Sequence, residues 1–232
     1  MIQDTYVFSK NHFQPDDDYY RDISDKVRIN KILQLIGKDK IVLDCGCFNG
    51  EISKKIKNND NIVYGMDASE EAIKTAVSRG IIAVTANIES RFPYEDNKFD
   101  IVLAGEVFEH ILDTDALLKE ISRVLKNNGN LIVTTPNTAS LGRRLMLLFG
   151  KNAYFEASFS YPYNAVGHIR FFTKKLLSDF LKKNNYVINS FSSDVIKISN
   201  HRALIKLCNI FPTLGRSLII KATINKNIPL DE

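Results

Sequence analysis

The chain has 232 residues, of which 44% are hydrophobic and 25% are charged, and its formal net charge is +4. This length and apolar content suit one domain with a substantial core, and so weak a positive charge gives no reason to expect a nucleic-acid partner. Three cysteines argue against a disulfide framework, and the sequence shows neither a signal-peptide core nor a run of transmembrane length, so we expect a cytoplasmic protein.

The N-terminal segment combines an arm and a helix. Residues 1–20 are polar and aromatic, which we interpret as an irregular arm. From residue 21 to residue 36, apolar side chains recur at helical spacing, and Gly37 follows where a helix would end.

Residues 41–51 predict a buried strand, a tight turn and the start of a helix. Three apolar residues lead into Asp44, and Gly46 and Gly50 follow. Glycines let a backbone approach a ligand closely, and the free N–H groups at a helix start offer donors. An ordinary turn of an α/β domain would show the same glycines, so this stretch alone leaves both interpretations open.

A second acid at a strand end favours a nucleotide site. Residues 62–66 form a short, largely apolar strand that leads into Asp67. This acid lies about 20 residues after the glycine turn, where nucleotide-binding βαβ units carry the acid that binds ribose. Two acids that end two consecutive strands are a sharper signal than a pair of glycines.

These motifs resemble a known family. The run from Asp44 to Gly50, Asp-Cys-Gly-Cys-Phe-Asn-Gly, is similar to the first motif of the class I S-adenosylmethionine (SAM)-dependent methyltransferases, of the small-molecule, glycan or lipid type. Asp67 matches the ribose-binding acid of that family. Phe48 replaces a glycine that is frequent there, a mild departure if Phe48 has φ below zero, because only φ above zero strongly demands glycine.

The resemblance implies a fold and a cofactor. The implied fold is α/β, a Rossmann-like doubly wound sheet of seven mostly parallel strands with an antiparallel last strand and a small lid insertion. The alternation of helices with strands at 81–85, which we expect to be buried, 101–104 and 131–135 agrees with a parallel sheet. We expect Ser69 to cap the helix after the second strand, and residues 127–129 to form a turn with a C-terminal glycine. The implied cofactor is SAM, with S-adenosylhomocysteine as product and no metal. Cys45 and Cys47 lack a second cysteine or histidine pair nearby, so we do not expect them to bind zinc.

The resemblance also assigns residues to the cofactor. Asp67 would bind the ribose hydroxyls, and Asp44 would hold the turn or the amino group. Asn87 and Ile88 would contact the adenine, with a purely structural turn as the alternative. The full set of expected cofactor-binding residues is Asp44, Gly46, Cys47, Asn49, Gly50, Asp67, Ala68, Asn87, Ile88 and Glu106.

Two histidines are candidates for a general base. Glu106 and His110 follow the fourth strand, at the edge where open parallel sheets bind ligands, and they share a face if the segment is helical. His110 has the right chemistry for proton transfer, but a structural brace is the favoured interpretation. His168 is therefore the first candidate for the catalytic base.

Residues 138–172 are expected to form a lid over the methyl acceptor, with a helix and loop that only complete the core as the alternative. Aromatic side chains there can face a ring or an acyl chain, and arginines can bind an anionic group. The expected acceptor-binding residues are Arg143, Arg144, Tyr163 and Arg170. Residues 168–173 also resemble a run in methyltransferases of cell-surface glycans, lipids and quinone-like precursors.

The C-terminal part completes the sheet. We predict a helix at 174–184 with Thr173 as its N-cap, a strand at 186–191, a helix at 202–212 and a last strand at 218–224. We expect the helix at 202–212 to pack on the core or to form a homodimer face, with an extension of the lid or a peripheral membrane contact as the alternatives. The whole chain is then one domain, made of an N-terminal arm and helix (1–36), a SAM-binding core (37–137), a lid (138–172) and a sheet-completing part (173–232).

We therefore expect a SAM-dependent methyltransferase that transfers a methyl group to a small-molecule, glycan or lipid-type acceptor, at oxygen. One alternative is a nicotinamide-dependent oxidoreductase, although the chain has no clean G-x-G-x-x-G turn. The other is a SAM-binding protein without catalytic activity.

Overall fold

A seven-stranded sheet is the centre of the molecule. The computed structural model describes residues 22–153, 167–199 and 202–226. The strands within those ranges are β1 (Ile41–Cys45), β2 (Ile62–Asp67), β3 (Ile82–Thr85), β4 (Phe99–Gly105), β5 (Leu125–Pro136), β6 (Tyr186–Ser193), β7 (Ile196–Ser199), β8 (Arg202–Leu204) and β9 (Ser217–Ile224). The large sheet has the order β3-β2-β1-β4-β5-β9-β6, and β7 and β8 form a separate two-stranded sheet.

The strand directions confirm the predicted fold class. Strands β1 to β5 run parallel, and β9 lies antiparallel between β5 and β6. The chain winds outward in opposite directions from β1 and from β4, which places the topological switch point between these two strands. Ligands of open α/β sheets bind outside the carboxyl ends of the strands at such a point.

Helices cover the sheet on both sides. They are α1 (Ile23–Ile36), α2 (Glu51–Lys57), α3 (Glu70–Ser78), α4 (Thr114–Val124), α5 (Leu141–Leu148), α6 (Lys174–Lys183) and α7 (Ile205–Ile210). The side chains of Ser69, Asp113 and Thr173 accept hydrogen bonds from the N–H three residues on and so cap α3, α4 and α6. The predicted N-caps at Ser69 and Thr173 are confirmed.

The core divides into two layers because successive strand side chains point to opposite faces. Val42 of β1 packs with Ile32 and Ile36 of α1 on one face. Leu43, the next residue, packs with Leu117 of α4 and the other apolar side chains of the opposite face. All these side chains are buried, and burial of one of them contributes about 1.5–3 kcal/mol to the stability of the fold.

Three sequence predictions about elements are wrong. Strand β3 is an edge strand, and its Ile82 is 52% exposed rather than buried. The turn expected at 127–129 is an irregular part of the long β5, and Asn128, not the glycine, has positive φ. The helix expected at 202–212 is split into β8, the short α7 and a 3₁₀ turn at Pro212–Leu214, because β8 pairs with a strand that the apolar pattern did not reveal.

None of the helices in the described ranges is long and apolar enough to cross a membrane.

Candidate functional site

The two acids at neighbouring strand ends lie together, as predicted. Asp44 of β1 pairs in register with Gly65 of β2, two residues before Asp67. Asp44 is buried, and its Oδ2 accepts a 2.5 Å hydrogen bond from the Ser53 hydroxyl of α2. Burial raises the pKa of Asp44 to about 6; the Ser53 hydrogen bond acts against that rise, and the nearby Asp67 carboxylate adds to it.

Asp67 holds the turn that follows β1. Its Oδ2 accepts a hydrogen bond from the Phe48 N–H at 2.9 Å, and its Oδ1 accepts one from the Ser69 N–H at 2.9 Å. Burial raises the pKa of Asp67, and these backbone hydrogen bonds partly oppose that rise. A carboxylate offers about four lone-pair sites, so Asp67 retains capacity for a ligand hydroxyl beside its backbone hydrogen bonds.

Phe48 does not have the negative φ at which its departure from the family motif would be mild. Phe48 has φ of 48°, in the left-handed region that favours glycine. The position therefore has the same backbone conformation for which the family frequently uses glycine. The Phe48 N–H bond to Asp67 helps to hold this conformation, which costs a non-glycine residue about 1–2 kcal/mol.

The glycines of the turn make room for protein atoms. Gly46 and Gly50 have φ of 78° and 76°. A Cβ at Gly46 would lie 2.8 Å from Val107 Cγ2, and a Cβ at Gly50 would lie 2.9 Å from Ala76 Cβ. Packing and φ thus require glycine at both positions. The atoms next to each missing Cβ belong to Val107 and Ala76, so the glycines make room for protein atoms and not for the ligand that the sequence predicted there.

The N–H groups of the turn are also used within the protein. Those of Gly46 and Cys47 donate to the Met66 carbonyl oxygen at 2.9 and 3.0 Å, and that of Gly50 donates to the Cys47 carbonyl oxygen at 2.9 Å. The N–H of Glu51 donates to Asn49 Oδ1 at 3.2 Å. The expected free donors at the start of α2 are therefore engaged at these four positions.

Cys47, Asn49 and Ala68 are buried and line the same turn. The Cys47 sulfur would be 2.7 Å from a Cβ at Gly65, so the thiol packs on β2. Burial raises the pKa of the Cys47 thiol well above its ordinary value, which leaves an inert, neutral group. The Asn49 carbonyl oxygen accepts a 2.9 Å hydrogen bond from Arg79. These three residues therefore support the turn from its buried side.

Asn87 and Ile88 lie just beyond β3, next to the acids. The Ala86 N–H donates to the Asp67 carbonyl oxygen at 2.9 Å. Asn87 Oδ1 accepts from the Glu89 N–H at 2.9 Å, an Asx turn that fixes the loop. Ile88 is half-buried, and its Cδ1 would be 3.6 Å from a Cβ at Gly46. The structure therefore brings both adenine-contact candidates to the edge that carries Asp67.

The segment that begins at Glu106 lacks the helical conformation that would place Glu106 and His110 on one face. Glu106 follows β4 with φ of 57°, so the segment from Glu106 is not helical and only Phe108–His110 forms a 3₁₀ turn. Its Oε1 lies 2.7 Å from Arg28 of α1 and accepts a 2.9 Å hydrogen bond from the Thr134 hydroxyl. This buried arginine links α1 to the ends of β4 and β5. Sequence analysis did not identify the pair because its partners are 78 residues apart in the numbering.

A second polar group lies beside that pair. The rings of His110 and His168 contact edge to face with centroids 4.8 Å apart, and His110 Nδ1 lies 3.3 Å from the Gly167 carbonyl oxygen. Burial first, and the neighbouring His168 second, lower the pKa of His110 to about 4, so its imidazole is neutral at pH 7. Both candidate bases therefore lie together at the carboxyl edge of the sheet.

Glu109 is the buried member of this group, with 1% of its surface exposed. Its Oε2 accepts a 3.0 Å hydrogen bond from the Thr135 hydroxyl. Burial first, and the Glu106 carboxylate second, raise the pKa of Glu109 well above its ordinary value. The burial of Glu109 depends on packing that the local sequence pattern does not show.

The arginines expected to bind the acceptor donate to main-chain carbonyls. Arg143 donates to Ala153 at 3.0 Å, and Arg144 donates to Ala139 at 2.6 Å. Arg170 donates to Ile111 at 2.8 Å and also to Leu112. These contacts give the three arginines a part in positioning loops, and their binding of an acceptor stays a prediction. Tyr163 and the neighbouring lid aromatics lie outside the described residues.

Comparison with known proteins agrees with this geometry. Residues 43–133 match the family model described as a methyltransferase domain. An uncharacterized protein of Methanocaldococcus jannaschii is 41% identical over 104 residues, which are 45% of this chain and 44% of that protein. The human mitochondrial ubiquinone biosynthesis O-methyltransferase is 30% identical over 119 residues, 47% of this chain and 32% of that enzyme. The chain thus aligns with less than half the length of these relatives.

Solved structures share the whole fold. A SAM-dependent methyltransferase of Thermotoga maritima, described as a possible histamine N-methyltransferase, superposes with a TM-score of 0.64 at 20% identity, over 85% of this chain and 88% of that one. A SAM-dependent methyltransferase of Methanosarcina mazei superposes with a TM-score of 0.60 at 20% identity, over 84% and 97% of the two chains. At such identities the likeness shows the fold alone.

Proposed function

Since residues 43–133 match the family model described as a methyltransferase domain and the chain shares the fold of a solved SAM-dependent methyltransferase, we propose that the protein is a SAM-dependent methyltransferase with a small-molecule, glycan or lipid-type acceptor. The observation that carries the proposal is the row of polar residues at consecutive strand ends. Asp44 and Asp67 lie at the carboxyl ends of β1 and β2, and Asn87 follows β3, so the three residues belong to the same edge of three neighbouring parallel strands.

The residues present fit this cofactor. Asp67 keeps lone-pair capacity beside its backbone hydrogen bonds, which suits a hydroxyl of a ribose. Asp44 is a buried acid beside it, suited to the amino group of the methionine part. Asn87 and Ile88 border the same edge, where one offers hydrogen bonds and the other an apolar surface for the adenine.

We propose oxygen as the methylated atom. SAM supplies a methyl group on a sulfonium sulfur; a hydroxyl oxygen of the acceptor bonds to the methyl carbon and gives up its proton, while the C–S bond breaks and its electron pair stays on S-adenosylhomocysteine. The chain's own residues have to exclude water and orient the acceptor for this in-line step. Relatives named ubiquinone biosynthesis O-methyltransferase support oxygen over nitrogen or carbon.

Calorimetric titration with SAM, S-adenosylhomocysteine and NAD tests the proposal. Wild-type protein should bind the first two saturably and leave NAD unbound. Asp67→Asn should weaken SAM binding about 10- to 100-fold, because a hydrogen bond to a charged group contributes about 1.5–3 kcal/mol. Glu70→Gln, at an exposed ion pair three residues away, is the matched control and should bind as wild type does.

Each contrary result has a definite meaning. Binding of NAD alone would replace the proposal with a nicotinamide-dependent oxidoreductase, and binding of none of the three ligands would overturn the cofactor assignment. Equal SAM affinity in Asp67→Asn and wild type would remove Asp67 from the ribose site. Since Asp67 also holds the Phe48 and Ser69 N–H groups, thermal unfolding of each variant has to accompany the titration.

A further inference from the structure

Two distant segments are locked together beside the proposed acceptor position. Glu109 and His110 lie in the 3₁₀ turn after β4, and His168 precedes α6. The N–H groups of Ile169 and Arg170 both donate to the Glu109 carbonyl oxygen, at 2.9 and 3.1 Å. These main-chain bonds hold the His168 segment against the turn, so the three side chains have a fixed mutual arrangement.

The ligand atoms of these three side chains are almost close enough together to bind one cation. One carboxylate oxygen of Glu109 and one ring nitrogen each of His110 and His168 all lie within 4.8 Å of one another. Bonds of about 2.0–2.2 Å to a shared cation would place such atoms about 3–4 Å apart, so a small closing of the side chains completes the site.

An unpartnered oxygen points to what the group binds. Glu109 Oε2 accepts the Thr135 hydroxyl, but Glu109 Oε1 is buried and has no hydrogen-bond partner in the part of the chain that the structure describes. A buried carboxylate oxygen without a partner is costly. A cation between Glu109 and the two imidazoles would satisfy this oxygen. The contact of His110 Nδ1 with the Gly167 carbonyl oxygen would orient the His110 ring for such binding.

We propose that Glu109, His110 and His168 bind one divalent transition-metal cation. Two imidazole nitrogens and one carboxylate oxygen suit zinc, manganese, iron or cobalt, whereas magnesium and calcium favour all-oxygen sites. This site goes against the expectation from the family resemblance that no metal takes part. Cys45 and Cys47, the pair considered for zinc in the sequence, point into the core instead.

The role of the cation rests on the proposed function. Three protein ligands leave positions open for an acceptor hydroxyl, and a bound cation lowers the pKa of such an oxygen. The hydroxyl proton then leaves to solvent, and the oxygen becomes the nucleophile for the methyl group. His168 is then a metal ligand, which replaces its assignment as the catalytic base.

A cobalt titration tests the site without reference to activity. Protein dialysed against EDTA is titrated with Co²⁺ and followed by visible absorption, and the same preparation is titrated with SAM by calorimetry without metal. Wild type should bind one Co²⁺ per chain. His168→Ala and Glu109→Gln should weaken Co²⁺ binding by more than the about 10- to 100-fold that loss of an outer-shell partner costs.

His201→Ala is the matched control, since His201 is one of the two histidines outside the group; it should bind Co²⁺ as wild type does. Saturable SAM binding by His168→Ala shows that this variant is folded. Unchanged Co²⁺ affinity in His168→Ala and Glu109→Gln, or no Co²⁺ binding by wild type that still binds SAM, would overturn the metal site alone. Co²⁺ binding without SAM binding would overturn the proposed function and leave the metal site standing.

Discussion

Asp44 is a carboxyl group that the fold buries although burial disfavours its charged form. Among the described residues, Asp67, another acid, is the one charged group that contributes to the shifted pKa of Asp44. Ser53 donates one hydrogen bond to the Asp44 carboxylate. The folded protein therefore binds the Asp44 proton more tightly than the unfolded chain does. Stability is lost as pH rises from the ordinary pKa of 3.8 through the folded pKa of about 6, a cost consistent with the proposed role of Asp44 in holding a cationic ligand group.

Asp44→Asn should remove this cost. We expect the free energy of unfolding of the variant, relative to wild type, to increase by about 2 kcal/mol between pH 4 and pH 8, since a pKa difference of one unit is worth about 1.4 kcal/mol. Denaturant unfolding of both proteins across this pH range measures the difference. Asp60→Asn, at an exposed pair with Lys38, should show no such trend, and a pH-independent difference for Asp44→Asn would contradict the assigned pKa.

At the scale of elements, the entry to α2 depends on close packing with α3. Gly50 has φ of 76° directly before α2, and its Cα faces Ala76 of α3. Both the backbone conformation and the distance between the helices exclude a side chain at this position. The glycine thus fixes how α2 leaves the turn and so where Asp44 and Ser53 meet.

Gly50→Ala should therefore destabilise the protein by about 2 kcal/mol or more, from left-handed strain of about 1–2 kcal/mol together with overpacking. Gly142→Ala is the control: Gly142 lies within α5, and its nearest neighbouring atom would be 3.8 Å from the new Cβ. That change should stabilise by about 0.5–1 kcal/mol. Denaturant midpoints of the two variants test the contrast, and similar effects in both would refute the packing argument.

At the scale of the whole molecule, the strand order gathers the candidate residues at one edge. The switch point lies between β1 and β4, so the turn after β1 and the segment after β4 face the same cleft. Arg28 extends this arrangement to α1, which it joins to Glu106 at 2.7 Å. A ligand at the switch point would then contact several elements at once and should stabilise the fold as a unit.

SAM should raise the melting temperature of the protein. At a concentration of about 100 times its Kd, a ligand adds about 2.7 kcal/mol to the stability of the folded state, which for a chain of this size corresponds to about 5–10 °C. Differential scanning fluorimetry with SAM and, as a control, with NAD measures the shift. An equal shift with both, or none with SAM at that saturation, would contradict a dedicated SAM site.

The sequence by itself determined the order of the strands from β1 to β5, the sheet class and the acids at the ends of β1 and β2. These follow from local apolar periodicity and from motifs that lie within a few residues of each other. Even here the local pattern did not fix the sign of φ at Phe48, which depends on a bond from its N–H to Asp67 in the next strand.

Only the tertiary structure decided which side chains meet. The edge position of β3, the Arg28–Glu106 pair and the grouping of Glu109 and His110 with His168 all join residues far apart in the chain. Their geometry depends on how strands align and how loops pack across the sheet. The spacing of apolar residues along the sequence gives no information about such contacts. The sequence could therefore name the two histidines, but only the fold could place them around the buried oxygen of Glu109.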